Sequence, residues 1–209
     1  AKIGKDGVVT VEAGQALEME SEVVEGFSID RGFTSALFVT DVNRQEAVFE
    51  KPAVVVTDKK LSSIQDVAPI LEKLAQAGKK DLVLIAEEVE GEALSIMVLN
   101  KLKGVFNSVA IKAPSFGERR KEVFEDIAVL TGATVVSEER GMTFDNTGME
   151  VVGSARKVIV GKDESTIIEG GGSKDAVEAR IAQITMQAEN ATSSYDREQY
   201  EQRAAALSG

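Results

Sequence analysis

The sequence predicts an α/β fold built on a parallel βαβ core, and three features carry that expectation. Short apolar runs alternate with helix-period segments between Leu61 and Val136, in the order strand, helix, strand, helix, strand that a parallel sheet requires. The strand runs are continuously apolar, as in LVLIA (Leu82 to Ala86). After Gly172 the pattern turns helical to the end, which predicts a C-terminal αα-hairpin packed on the body.

Taken in order, GKDGVVTVEAG is a Gly-rich turn feeding a short Val/Thr strand, and LEMESEVVEGFSI alternates partly with period two. DRGFTSALFVTDV follows, with Gly32 as the turn residue and a strand expected from about Thr34 to Thr40. Phe33, Leu37 and Phe38 cluster there; core packing accounts for Phe38. EAVFEKPAVVVTDKK supplies two strands, with Pro52 between them where no ladder donor is needed.

A first helix lies within LSSIQDVAPILEKLAQAGKK. Asp66 as N-cap would place Pro69 in the first turn, where its missing N–H is harmless. Val67, Ile70, Leu71 and Leu74 form its apolar arc, and Gly78 ends it. The second helix, GEALSIMVLNKLKG, is apolar nearly all round. Ala93, Ile96 and Met97 make one face; Leu94, Val98 and Leu102 make a second stripe, with Leu99 on its flank. Such a helix is either buried on every side or offers a face to something else. Burial would leave Asn100, Lys101 and Lys103 in need of partners, and the residue pattern alone leaves both readings open.

FNSVAIK predicts a strand near Ser108 to Ile111. A helix then carries Val123, Phe124, Ile127 and Leu130 on one face and closes at Gly132, and Thr134 to Val136 are expected as a further strand. Beyond it, the runs KVIV from Lys157 and STII from Ser165 are the clearest strands. The tail helices present Val177, Ile181, Ile184 and Ala188, then Tyr200, Ala204 and Leu207, with Ser194 as the expected N-cap of the second.

Composition excludes several chemistries. The chain has 209 residues, no cysteine and no histidine, so disulfides, thiolate nucleophiles, imidazole bases and Cys/His zinc sites are ruled out. A net charge of −11 disfavours binding along a phosphate backbone, hence no nucleic-acid partner is expected. No apolar run approaches membrane-spanning length, so no membrane partner is expected and the chain reads as cytoplasmic. GGGSK (Gly170 to Lys174) lacks the P-loop spacing, and no GxGxxG opens a βαβ helix. The acid pairs Glu87–Glu88 and Glu138–Glu139 and the basic pair Arg119–Arg120 beside Ser115 read best as solvated charge. The alternative is a doubly wound α/β enzyme using carboxylates such as Glu87 and Glu88 near a strand's C-terminal end.

At DRGFTSALF, EEVEGEALSIMVLNKLKG, KAPSFGERRKEVFEDIAVLTG and SSYDREQYEQRAAALSG, the sequence closely resembles group I chaperonins of the GroEL type, in the right order over essentially the whole chain. The resemblance implies a partial intermediate-domain segment over 1–25 and an apical domain of three-layer β/β/α swivelling fold over 26–209. The equatorial domain, with its GDGTT phosphate loop and catalytic aspartate, has no counterpart. No catalytic residue, cofactor or metal is therefore expected here, whereas the parent protein would be an ATPase using ATP and Mg. The implied partners are non-native polypeptides, a GroES-type co-chaperonin and, in the full-length protein, the other ring subunits; this piece alone is expected to be a monomer.

Carried over position by position, the resemblance implies a binding surface of Phe33, Ser35, Leu37 and Phe38, Ala68 and Leu71 on the first helix, and Leu94, Val98, Leu99 and Asn100 on the second. Glu72, Glu92 and Lys103 are expected as a polar rim. Phe33 and Leu37 replace usual tyrosines, Ala36 a usual proline, Ala68 a larger aliphatic and Ser115 a glycine, departures that bear on affinity and client range. A plastid stroma or mitochondrial matrix is the alternative location.

Overall fold

A computed structural model describes residues 26–114 and 117–209. The expectations for residues 1–25 and for Ser115 lie outside the described residues. In chain order the strands and helices begin with β1 (Phe27–Ile29), β2 (Ala47–Glu50), β3 (Ala53–Val56), β4 (Lys60–Leu61) and α1 (Ile64–Gln76). Next come β5 (Asp81–Ala86), β6 (Glu88–Val89), α2 (Gly91–Leu102), β7 (Asn107–Lys112) and α3 (Gly117–Thr131). The chain ends with β8 (Gly153–Val160), β9 (Ser165–Gly170), α4 (Lys174–Glu189) and α5 (Ser194–Ser208).

Among the described residues a seven-stranded mixed sheet runs β1-β9-β8-β3-β5-β7, with β2 also paired to β8. The parallel core is the expected one: Val55 pairs Leu84, which pairs Ala110. Val54 to Val56 and Leu82 to Ala86 are buried, because helices cover both faces and a parallel strand must be apolar throughout. The other half is antiparallel. There β2 and β3 form one run along β8, broken at Lys51 and Pro52. Lys51 takes φ 52° and its amide donates to the Arg156 carbonyl at 2.8 Å; Pro52 has no amide to leave unpaired.

Right-handed crossovers put α1 (β3 to β5) and α2 (β5 to β7) on one face. The chain then returns through α3 to Val136, which bridges Thr57 on the side of β3 away from β5. That reversal puts α3 on the opposite face, against β3, β8 and the α4–α5 hairpin.

Four local expectations are corrected. Thr34 to Thr40 is not a strand: only Phe33 bridges β7, at Ile111, and the Ser35 hydroxyl then accepts the Leu37 amide at 3.2 Å, starting a 3₁₀ turn over Ala36–Phe38. Thr134 to Val136 forms one bridge rather than a strand, because β8 already occupies that edge of β3 at Ala53 and Val54. The N-cap of α1 is Ser63, and Asp66 is the third helical residue. Pro69 is consequently the sixth, inside the helix, and the carbonyl it frees belongs to Gln65, an exposed residue that water can serve. Lastly, α5 is capped by Ser193, whose hydroxyl accepts the Asp196 amide at 3.0 Å, not by Ser194.

The tail hairpin is fastened to α3 by a network the sequence reading missed. Asp126, its side chain 1% exposed, accepts from Arg203 at 2.7 Å and from Arg180 at 2.9 Å. Arg203 also reaches Glu122 at 3.0 Å. Arg203 stands three residues after Tyr200 and four before Leu207, inside the apolar face of α5. A cation in that register is a sequence signal for a buried partner, and the reading of the face as Tyr200, Ala204 and Leu207 passed over it.

Candidate functional site

The paired strands β4 and β6 launch α1 and α2 side by side. Leu61 and Val89 pair in a parallel ladder and are buried. Asp81 and Asn107, where the two helices rejoin the sheet, also pair. Two helices of 13 and 12 residues with common start and end points lie parallel. The Asp66 carboxylate accepts the amides of Ser62 and Ser63 at 2.9 and 3.0 Å. Burial pushes this carboxyl up, but those bonds, the Ser63 hydroxyl and nearby Lys59 together hold it below its ordinary range. Lys73, in the last turn of α1, donates to the carbonyls of Phe144, Asp145 and Thr147, so the outer flank of α1 is closed by that loop.

Helix α2 buries only Ala93 and Met97 completely. Placed between α1 and the 33–38 segment at the outer edge of β7, it turns two flanks to its neighbours. At 100° per residue Leu94 and Val98 fall on one flank, Ile96 and Leu99 on the other. Leu94 shares a cleft of about 380 Å³ with Phe33, rimmed by Arg31, Glu90, Lys112 and Lys162. The Leu94–Val98 flank therefore faces the Phe33 segment, and the Ile96–Leu99 flank faces α1. The outermost residues remain in water: Leu99 is 44% exposed, Leu102 65%, Val105 48%, and Leu37 57%. This answers the question the sequence left open, since the helix is not buried on every side.

The residues expected at a binding surface are not all available on it. Phe33, Ala68, Leu94, Val98 and Asn100 are half-buried, and Leu37 and Leu99 are exposed. Phe38 is fully buried and Leu71 is only 6% exposed, so both are core residues that offer little surface in this conformation. The Ser35 hydroxyl is engaged as a cap. Glu72, Glu92 and Lys103 are exposed, as a rim requires. Leu102 and Val105 are exposed as well; Leu102 was visible in the helical stripe, whereas Val105 lies past the helix end, where periodicity gives no signal.

The groups considered for catalysis are dispersed into separate contacts, most of them ion pairs. Glu87 meets Arg120 at 3.3 Å, while Glu88 meets Lys112 at 3.0 Å. Lys121 bonds Glu139 at 2.9 Å, chiefly for which its ammonium is held above its ordinary range. Arg119 donates to the Tyr195 hydroxyl at 3.0 Å. The glycines of GGGSK serve packing: the Gly172 amide donates to the Leu130 carbonyl at 2.9 Å, a Cβ there would lie 2.0 Å from the Val129 carbonyl, and Ser173 caps α4. A cleft of about 880 Å³ lies away from α2, between β9, α4 and the end of α5, with Phe27, Leu130, Ile181 and Leu207 in its walls. Among the described residues, no helix is long and apolar enough to cross a membrane.

Fold and surface together define a mixed α/β protein that carries an apolar helix face in water. Its sequence matches the TCP-1/cpn60 chaperonin family over residues 1–199, and the chain belongs to that family. Membership brings a general chaperone role in protein folding, and does not favour the carboxylate-enzyme alternative.

Proposed function

We propose that residues 26–209 are the apical domain of a GroEL-type chaperonin. In this reading the outer surface of α2, with the 33–38 segment and α1 beside it, binds exposed apolar segments of non-native polypeptides and, in competition, the mobile loop of a GroES-type co-chaperonin. The observation that carries it is the exposure of Leu99, Leu102 and Leu37 around one helix. Non-native chains present apolar side chains in no fixed order, so recognition has to be non-directional, and an apolar surface beside a helix pair can take a segment as helix or strand. The antiparallel strands, the parallel βαβ half and the helices on its faces support the three-layer apical arrangement.

Each well-buried aliphatic contributes roughly 1.5–3 kcal/mol. Three or four anchors give on the order of 6–9 kcal/mol gross, against an association cost of about 4 kcal/mol or more. One domain then binds in the micromolar range or more weakly, and a ring of them gains avidity through effective concentration. The chain contributes no nucleotide chemistry in this reading; its glycine run is occupied by packing against α3.

Titration of a fluorescently labelled apolar peptide tests the proposal, using wild type and Leu94→Ser/Val98→Ser, both shown to be folded by thermal melting. Loss of most of the affinity in the folded variant is expected. Equal binding by both, or none by the folded wild type, overturns it.

A further inference from the structure

The apolar surface of α2 ends in a lysine fringe. The helices are parallel, so their C-terminal ends come together: the Asn107 amide, just past α2, donates to the Lys80 carbonyl, just past α1, at 2.9 Å. Lys79 and Lys80 after α1 and Lys103 at the cap of α2 are exposed at this shared end, as are Leu102 and Val105, and Lys101 is half-buried. None of these four lysines makes an ion pair with another described residue. Asp81, next to Lys80 in the chain, accepts the Asn107 side-chain amide at 3.0 Å. The opposite end of the helix pair is mixed in charge: Glu90 pairs with Lys60 at 3.3 Å, Glu92 is exposed, and Arg31, Lys112 and Lys162 stand on the rim of the Leu94 cleft. A molecule of net charge −11 thus carries a local positive field at one end of its exposed apolar face.

We infer that this face selects apolar segments flanked by acidic residues, the acidic flank lying over Lys79, Lys80 and Lys103. The inference rests on reading α2 as a peptide-binding face and adds a client chemistry to it. Complementary charge at the rim of an apolar contact steers approach and fixes orientation more than it adds affinity, so the selectivity is modest and salt-dependent.

The test uses synthetic labelled peptides that share one Leu/Ile-rich core and end in a short run of Glu, Lys or Ser. The Glu-ended peptide is expected to bind about five- to tenfold more tightly than the Lys-ended one at low salt, the size two or three exposed ion pairs reach together. That difference is expected to vanish near 1 M salt and to be lost in Lys79→Glu/Lys103→Glu, checked for folding by its melt. Equal binding of all three peptides overturns the inference and leaves the lysines to the helix ends alone. Tighter binding of the Lys-ended peptide also overturns it, because the overall negative charge then rules. Failure of all three to bind folded wild type overturns the peptide-binding reading as well. The wild-type series decides even if the variant melts early.

Discussion

The amide of Ala93 donates to the carbonyl of Ser62 at 3.2 Å, tying the first turn of α2 to the residue before the cap of α1. This bond, with the Leu61–Val89 ladder beneath it, makes the two helices one unit whose spacing is set at its N-terminal end.

Gly91 is what permits the approach. Its φ is 56°, and a Cβ would sit 3.1 Å from the Ser62 carbonyl. Gly91→Ala is expected to destabilise the fold by about 1–2 kcal/mol, the ordinary penalty of a left-handed backbone for an L side chain. Urea unfolding measures it; an unchanged midpoint would mean that the helix pair tolerates a different entry.

The carboxylate of Asp66 gives the same unit a pH dependence. Its folded pKa lies below the ordinary 3.8, so its contribution is present above the unfolded value and is lost as pH falls through the lowered one. The stability difference between wild type and Asp66→Asn is therefore expected to be full at neutral pH and to shrink below about pH 4. Thermal melts across that range check it; a difference that grows on acidification contradicts the assignment.

Asp126 holds the tail hairpin through two guanidinium groups. Asp126→Asn leaves Arg180 and Arg203 short of a buried counter-charge and is expected to cost about 3–5 kcal/mol. Replacing all three residues by apolar ones of similar size should recover much of that loss. Urea titrations of both variants separate the ion network from simple packing.

Exposure and burial on α2 predict opposite responses. Leu99→Ser and Leu102→Ser are expected to change stability by no more than about 0.5 kcal/mol, because both side chains stand in water. Met97→Ala, at a fully buried position, is expected to cost about 2–5 kcal/mol. A large loss in the first pair would mean that α2 is covered in solution.

The parallel core was legible because buried strands must be apolar throughout and α1 must be amphipathic. What escaped the sequence was competition between neighbouring solutions. Ser63 and Asp66 are both good caps, and only the geometry of Ser62 and Ser63 around the Asp66 carboxylate decides between them. Ser193 and Ser194 pose the same ambiguity. Val136 has a strand's side chain but finds β3 already taken by β8 at Ala53 and Val54. Ser35 diverts an apolar run into a 3₁₀ turn by accepting the Leu37 amide, which sends Phe38 to the core and leaves Leu37 in water. At the candidate surface the stripe of Leu94, Val98 and Leu102 was readable from spacing. The division of its flanks between α1 and Phe33 was not, because it depends on where the sheet edge ends.

Chemical-shift mapping tests the central claim most directly, by adding an unlabelled apolar peptide to ¹⁵N-labelled protein. The account predicts perturbations concentrated at Leu94, Val98, Leu99, Leu102 and the 33–37 segment, with the cleft between β9 and α4 unaffected. Perturbations concentrated instead at Ile168, Val177 and Ile181, with α2 silent, would contradict it.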